Sequence, residues 1–155
     1  MSSGPLLLTA TPVIGPGVAY SVGDLIGSKL TFGTGILNMN EPYLRGVGIS
    51  DIDKQNAAMT LVLFDNDPSA TTFTDNAALA IAAADLPKII GIFPIATASY
   101  ASFSANSYVF SSTNVGQIPL VMRGSTLYGC LLSGGTPTYT NAASLGVQLF
   151  VSGGF

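Results

Sequence analysis

From Met59 to Phe64 the chain reads MTLVLF, with Met59, Leu61 and Leu63 on one side of an extended chain and Val62 and Phe64 on the other. Successive side chains of a strand point to opposite faces, so a run that is apolar on both predicts a central strand covered from both sides. Shorter apolar runs, set apart by Gly, Pro, Asn, Asp and Ser, predict further strands. KLTFGTGIL carries Leu30, Phe32 and, past the glycines, Ile36, the pattern of a strand with a bulge. LRGVGISDID alternates Leu44, Val47, Ile49 and Ile52 imperfectly, and PKIIGIFPIA reads as a β run with Pro94 near its end. SYASFSANSYVFSS spaces Tyr100, Phe103, Tyr108 and Phe110 among small polar residues, as a solvent-edged hairpin would. QIPLVM, TLYGCLL and SLGVQLFVS add three more strands, with turns at RGS and SGGTPTYTN.

Two segments break the alternation. TDNAALAIAAAD is rich in the best helix former, which predicts one short α-helix at about residues 75–84, with Leu79, Ile81 and Leu86 as its only large apolar groups. Such a smooth helix is expected to lie across the open end of a sandwich as a plug. Residues 1–19 carry Gly4, Pro5, Pro12, Gly15, Pro16 and Gly17, which predict an extended N-terminal arm. Its apolar residues Leu6, Leu7, Leu8, Val13 and Ile14 imply that the arm packs on something, either a neighbour or, as a first edge strand, the same domain. Eight or nine short strands with hardly any helix predict an all-β fold, a β-sandwich or jelly-roll-like single domain over residues 20–155, with a barrel as the nearest alternative. No internal repeat divides it.

Composition changes the picture on one point. Hydrophobic residues make up 48% of the 155 and charged residues 8%, against a usual charged share of about 25%. Interface cores are poor in Lys, Asp and Glu and rich in Tyr, Phe and Met, so a surface this sparse in charge predicts a protein that lives against neighbours. Lys29, Arg45, Lys54, Lys88 and Arg123 are scattered singly and the net charge is −3, which argues against nucleic acid as a partner. No window approaches the ~18 uninterrupted apolar residues of a membrane span. The opening MSSGPLLLTATPV has no positive n-region and too short an apolar run for a signal peptide, so the chain is expected to be made in the cytoplasm and kept there until assembled.

Candidate chemistry is thin. The chain has no His, which removes the commonest general base and zinc ligand, and its single Cys130 sits in the apolar run YGCLL as a buried, inert thiol would. No phosphate-cradling Gly loop or nucleophile elbow is present. What remains is carboxylate chemistry around LVLFDNDPSATTFTDNAALAIAAAD, residues 61–85, if Asp51 and Asp53 fold back toward Asp65, Asp67 and Asp75. A glycosidase needs two carboxyls about 5 to 9.5 Å apart, and Asp51 with Asp65 or Asp53 with Asp67 are the available pairs. With no Trp and a single Glu, Glu41, a sugar site has little else to work with, and neither an enzyme nor a cofactor is expected. Asp65, Asn66, Asp67 and Asp75 offer the hard oxygens Ca²⁺ takes. They miss the EF-hand pattern, with Ala70 at its glycine position and Asn76 at its bidentate Glu. The preferred reading is structural: Asp65-Asn66-Asp67-Pro68 is a turn, and Thr74 or Asp75 caps the predicted helix. Tyr100, Phe103, Tyr108 and Phe110, with Tyr128 and Tyr139, could stack on sugar or form an interface, but cross-strand pairing is their commoner use.

Three segments carry a resemblance: YSVGDLIGSKLTF (residues 20–32), LVLFDNDPSATTFTDNAALAIAAADLPKIIGI (61–92) and STLYGCLLSGGTPTYTNAASLGVQLFV (125–151). The middle one is the most specific. Together they resemble a family of small tailed-bacteriophage proteins encoded near the capsid genes. The resemblance implies a virion protein, a capsid decoration or cement protein with a jelly-roll-like fold, bound to the outside of the head. On that expectation its partners are the major capsid protein and further copies of itself, as a dimer or trimer. The arm residues Leu6, Leu7 and Leu8 and the aromatic residues Tyr100, Phe103, Tyr108 and Phe110 are then the candidate interface. The alternative is a tail or fibre module that binds host-surface carbohydrate through Tyr and Phe.

Overall fold

Alternation along each strand decides what the fold turns inward. In the computed structural model, which describes residues 5–33, 41–111 and 118–153, ten strands form two antiparallel sheets. The strands are β1 (Leu6–Ala10), β2 (Leu25–Thr31), β3 (Tyr43–Asp51), β4 (Met59–Phe64), β5 (Ile89–Ile95), β6 (Ala101–Phe103), β7 (Asn106–Ser111), β8 (Ile118–Pro119), β9 (Tyr128–Ser133) and β10 (Leu145–Ser152). One sheet runs β1-β10-β3-β7-β6, with the two-residue β8 beside the start of β3, and the other runs β2-β9-β4-β5. The pairs are nested: β1 with β10, β2 with β9, β3 with β7, β4 with β5. Such nesting is what results when one long antiparallel ribbon is folded over on itself.

The sheets pack face to face. Leu8, Leu44, Val47, Ile49, Val109, Val147, Leu149 and Val151 from the six-stranded sheet meet Ile26, Leu30, Met59, Leu61, Leu63, Phe93, Ile95 and Leu131 from the other in one buried cluster. The all-β sandwich predicted from the pattern is therefore present, and β4 is central and apolar on both faces as its sequence requires. The predicted bulge lies earlier than expected: the β2–β9 register shifts between Ile26 and Leu30, around Gly27 at φ +78°. The extension of that strand to Ile36 falls outside the described residues.

The predicted α-helix at residues 75–84 is not formed, and the only helical turns among the described residues are 3₁₀ turns at Leu86–Lys88 and Thr97–Ser99. Residues 71–85 instead run extended across the outer face of the four-stranded sheet. Leu25 and Ala77, and Asn76 and Leu25, exchange backbone hydrogen bonds of 2.9 Å, and Leu79 N–H donates to Gly23 O. Half-buried Phe73, Leu79 and Ile81 alternate with exposed neighbours and cover Leu25, Val62, Phe64 and Cys130. Alanine propensity is worth only tenths of a kcal/mol per residue, and a helix of about ten residues is marginal without an apolar stripe to bury. The extended path buries Phe73, Leu79 and Ile81 together, and Asn76 at φ +57° interrupts any helical turn. The segment is a cover for one sheet face, not a plug for the end.

The N-terminal segment is part of the sandwich. Leu6–Ala10 is the edge strand β1, in unbroken register with Val151 through Val147 of β10. Ile14 is buried in the core, and Ile14 and Gly17 donate backbone hydrogen bonds to Ala142 and Tyr139. Among the described residues no helix is long and apolar enough to cross a membrane.

Candidate functional site

The carboxylates do not converge. Asp51 and Asp53 stand at the end of the sandwich where β4 begins, and Asp65 and Asp67 follow the residue where it finishes. The six residues of β4 separate them by roughly 20 Å at the rise of an extended strand. That span rules out both carboxylate pairs considered for glycoside hydrolysis. Among the described residues no three Asp, Glu, Cys or His side chains gather closely enough to hold a metal ion.

Each aspartate instead holds chain segments together. Asp65 is buried and forks with Arg123, whose Nε and Nη2 lie 2.6 and 3.2 Å from its two oxygens. Asp67 accepts from Lys29 Nζ at 2.7 Å, and Lys88 Nζ reaches both the Asp67 carbonyl (2.7 Å) and Asp85 Oδ1 (2.8 Å). Asp75 does not cap a helix. It accepts from Gly15 N–H (2.7 Å), Gly27 N–H (2.6 Å) and Tyr20 O–H (2.6 Å), fastening the cover to the N-terminal segment and to β2. Asp85 draws the two ends of the cover together, accepting from Thr71 Oγ1 at 2.6 Å, and accepts from Lys88 just before β5. Burial opposes ionisation of Asp85, but the hydrogen bonds from Lys88 and Thr71 outweigh it and hold the carboxyl below its ordinary range. Asp53 is held low in the same way by Ser144 and Thr140, against a smaller burial effect than theirs combined. Asp51, turned inward from β3, is raised by burial despite accepting from the Asp53 and Asn56 amides. The three calcium candidates Asp65, Asp67 and Asp75 thus serve separate ties. Cys130 is fully buried on β9 beneath the cover, and burial pushes its thiol up to about 12.

The aromatic candidates are partly gathered. The outer face of the six-stranded sheet carries Leu7 of β1, Phe150 of β10, Tyr108 and Phe110 of β7, and Phe103 of β6. Leu7 and Phe150 are cross-strand neighbours, and Phe110 meets Phe150 edge to face with ring centres 5.1 Å apart. Between them β3 contributes Gly46 and Gly48, which leave room for the rings: a Cβ on Gly46 would come within 2.5 Å of Phe110. Tyr108 lies over Gly48 and donates to Gln148 Oε1 at 2.8 Å. Leu7 and Phe110 are each 49% exposed and Phe103 63%. The strands of this sheet contain two charges, Arg45 and Asp51, and Asp51 faces inward.

The other candidates lie elsewhere. Leu8 is in the core, Leu6 is half-buried against it, and Tyr100 packs on the core while donating to Ala57 O at 2.9 Å. Tyr139 is buried edge to face against Tyr20, and Tyr128 lies beneath Lys29 Nζ. Phe150, Gly46 and Gly48 were not singled out from the sequence. The alternation in LGVQLFVS, with Leu145, Val147, Leu149 and Val151 on one face, does place Phe150 on the opposite one.

Compared with family models, curated proteins and solved structures, the chain matches none.

Proposed function

We propose that this chain is a structural virion protein that decorates the outside of a tailed-phage head, lying across major capsid protein subunits and stabilising the shell. One observation carries the reading: the six-stranded sheet leaves a nearly uncharged group of Leu7, Phe150 and Phe110 uncovered, with Phe103 exposed farther along the same face on β6, while the chain spends its own cover on the other sheet. Exposed aromatic rows flanked by polar residues suit protein interfaces. The nested pairs are read as the winding of a jelly roll, a fold that serves capsids among many other roles and decides nothing alone. Many weak copies on a repeating lattice would act together. The sugar-binding alternative gains less support, because Tyr100 and Tyr108 already spend their hydroxyls within the chain, on Ala57 and Gln148.

The test mixes purified protein with expanded phage heads that lack it and sediments the mixture. Co-sedimentation is expected, and the Phe103→Ser/Phe110→Ser pair is expected to weaken it at least tenfold, since aromatic anchors dominate such contacts. Protein that stays in the supernatant with wild-type residues in place overturns the proposal. A hit on a glycan array without head binding moves the chain to the tail.

A further inference from the structure

A two-sheet sandwich has four edge strands, and an exposed edge invites another strand unless something blocks it. Three of the four edges at the ends of the two strand paths here are blocked, and β8, off the path beside β3, is only two residues long. β6 is three residues long. β2 is broken by its register shift and the left-handed Gly27, and it carries Lys29. β5 contains Pro94, which removes a donor, and its register with β4 shifts near Phe64. β1 has none of these devices. LLLTA is uncharged, contains no proline, and pairs with β10 without a bulge. Among the described residues its backbone bonds to β10 and to nothing on the other side.

The core is also open along this edge. Leu8 is buried, but the flanking inward residues Leu6 and Ala10 are only half-buried while packing against the core. At the start of β1 a largely apolar cleft of about 320 Å³ runs inward across the sheet, lined by Pro5, Leu6 and Leu7, by Phe150, Val151 and Ser152 of β10, and by Arg45 of β3. An added strand would find backbone groups unpaired among the described residues and the half-buried Leu6 and Ala10 to cover.

We infer that β1 pairs antiparallel with β1 of a second copy about a two-fold axis at Leu8, joining two six-stranded sheets. The second copy is the fitting occupant because the strand is its own complement at that axis. Leu8 faces Leu8, the large Leu6 faces the small Ala10 on the core side, and Leu7 faces Thr9 on the outer side. A two-fold contact must be self-complementary in this way, and no charge on either strand opposes the approach. The join also makes the uncovered aromatic faces of the two copies continuous. A five-residue strand pair falls at the small end of specific interfaces, below roughly 1,200 Å², so the dimer is weak and concentration-dependent.

The experiment uses the full chain with no shell present, so its outcome is separate from that of the decoration proposal. Sedimentation velocity over a concentration series is expected to reveal a monomer–dimer equilibrium. Thr9→Lys is expected to raise the half-dimer concentration at least tenfold, while Val22→Lys, an exposed position off this edge, leaves it unchanged. Register is read with cysteines. Facing Cα atoms of an antiparallel pair lie about 4.5 or 5.5 Å apart, within disulfide reach. An oxidised mixture of Leu7→Cys and Thr9→Cys proteins is therefore expected to give a covalent dimer at least tenfold more efficiently than either alone. The inference is overturned by a monomer up to about 1 mM, by a dimer indifferent to Thr9→Lys, or by equal cross-linking of the single variants.

Discussion

The two outer faces of the sandwich have opposite fates. On the four-stranded sheet, Leu25, Val62, Phe64 and Cys130 lie under the extended residues 71–85. On the six-stranded sheet, Leu7, Phe110 and Phe103 have nothing over them among the described residues. The faces differ in content, since Thr9, Gln148, Ser50 and Asn106 share the uncovered one, and they differ in their ties. The cover is fastened near one end by Asp75, which takes donors from three separate positions, and Asp85 closes its two ends on each other through Thr71 and takes a donor from Lys88 beside β5. In a chain this poor in charge, the aspartates act as fasteners, and where no fastener reaches, apolar surface stays available.

The largest expected effect comes from hollowing the covered face. Phe64→Ala removes a fully buried ring between β4 and the cover and is expected to cost about 3–5 kcal/mol in urea unfolding. A cost below about 1 kcal/mol would mean that residues 71–85 settle freely into the gap, and the contrast between fixed and free faces would fail.

Unfastening the cover comes next. Asp75→Ala strands the Gly15 and Gly27 amides and the Tyr20 hydroxyl and is expected to cost about 2–3 kcal/mol. Cys130 supplies a local readout, since its thiol is buried under the cover and pushed up to about 12 by that burial. In the wild type, labelling by a thiol-specific disulfide reagent at pH 8 should be confined to rare openings. In Asp75→Ala it should accelerate at least tenfold more than Asp53→Asn makes it, because Asp53 ties the 140–144 turn and not the cover.

Period-two alternation made the strands legible because strand faces are decided by burial, which leaves its mark on every second residue. β4, β9, β10 and the β6–β7 hairpin follow that mark closely. Residues 75–84 did not, because their path is decided by partners distant in sequence: Asp75 meets Gly15, Tyr20 and Gly27, and no local propensity encodes that meeting. Yet Phe73, Leu79 and Ile81 sit at odd positions, a period-two signal that the alanines between them obscured. The carboxylates misled in the same way, since closeness in sequence placed Asp51 and Asp65 together while β4 holds them at opposite ends.

Acid should act with opposite sign on Asp85 at the cover and on Asp51 of β3. Asp85 is held below its ordinary range, so its stabilisation is present above about pH 3.9 and is lost as pH falls through its lower folded value. Asp51, rooted under the uncovered sheet, is raised by burial. Its contribution is complete below about pH 3.9 and is lost as pH rises through its higher folded value. Hydrogen exchange from pH 7 to pH 3 should therefore lose protection first in residues 71–85 with the β2 amides they cover and in the 140–144 turn tied by the low-held Asp53, ahead of β3. Loss in the reverse order would show that the Asp85 tie does not govern the cover.

The smallest expected effect on stability is the one that bears most on function. Phe103 is 63% exposed on the short edge strand β6, so Phe103→Ser is expected to change the unfolding free energy by no more than about 0.5 kcal/mol. Gly46→Ala on the same face puts a methyl group where the Phe110 ring lies and should swing the ring outward at a cost of about 1 kcal/mol. If the uncovered face is a docking surface, both changes alter binding to a shell far more than they alter folding. If instead Phe103→Ser unfolds the protein as Phe64→Ala does, the ring is supporting the sandwich, and the two faces differ only in how much of the same structural work each performs.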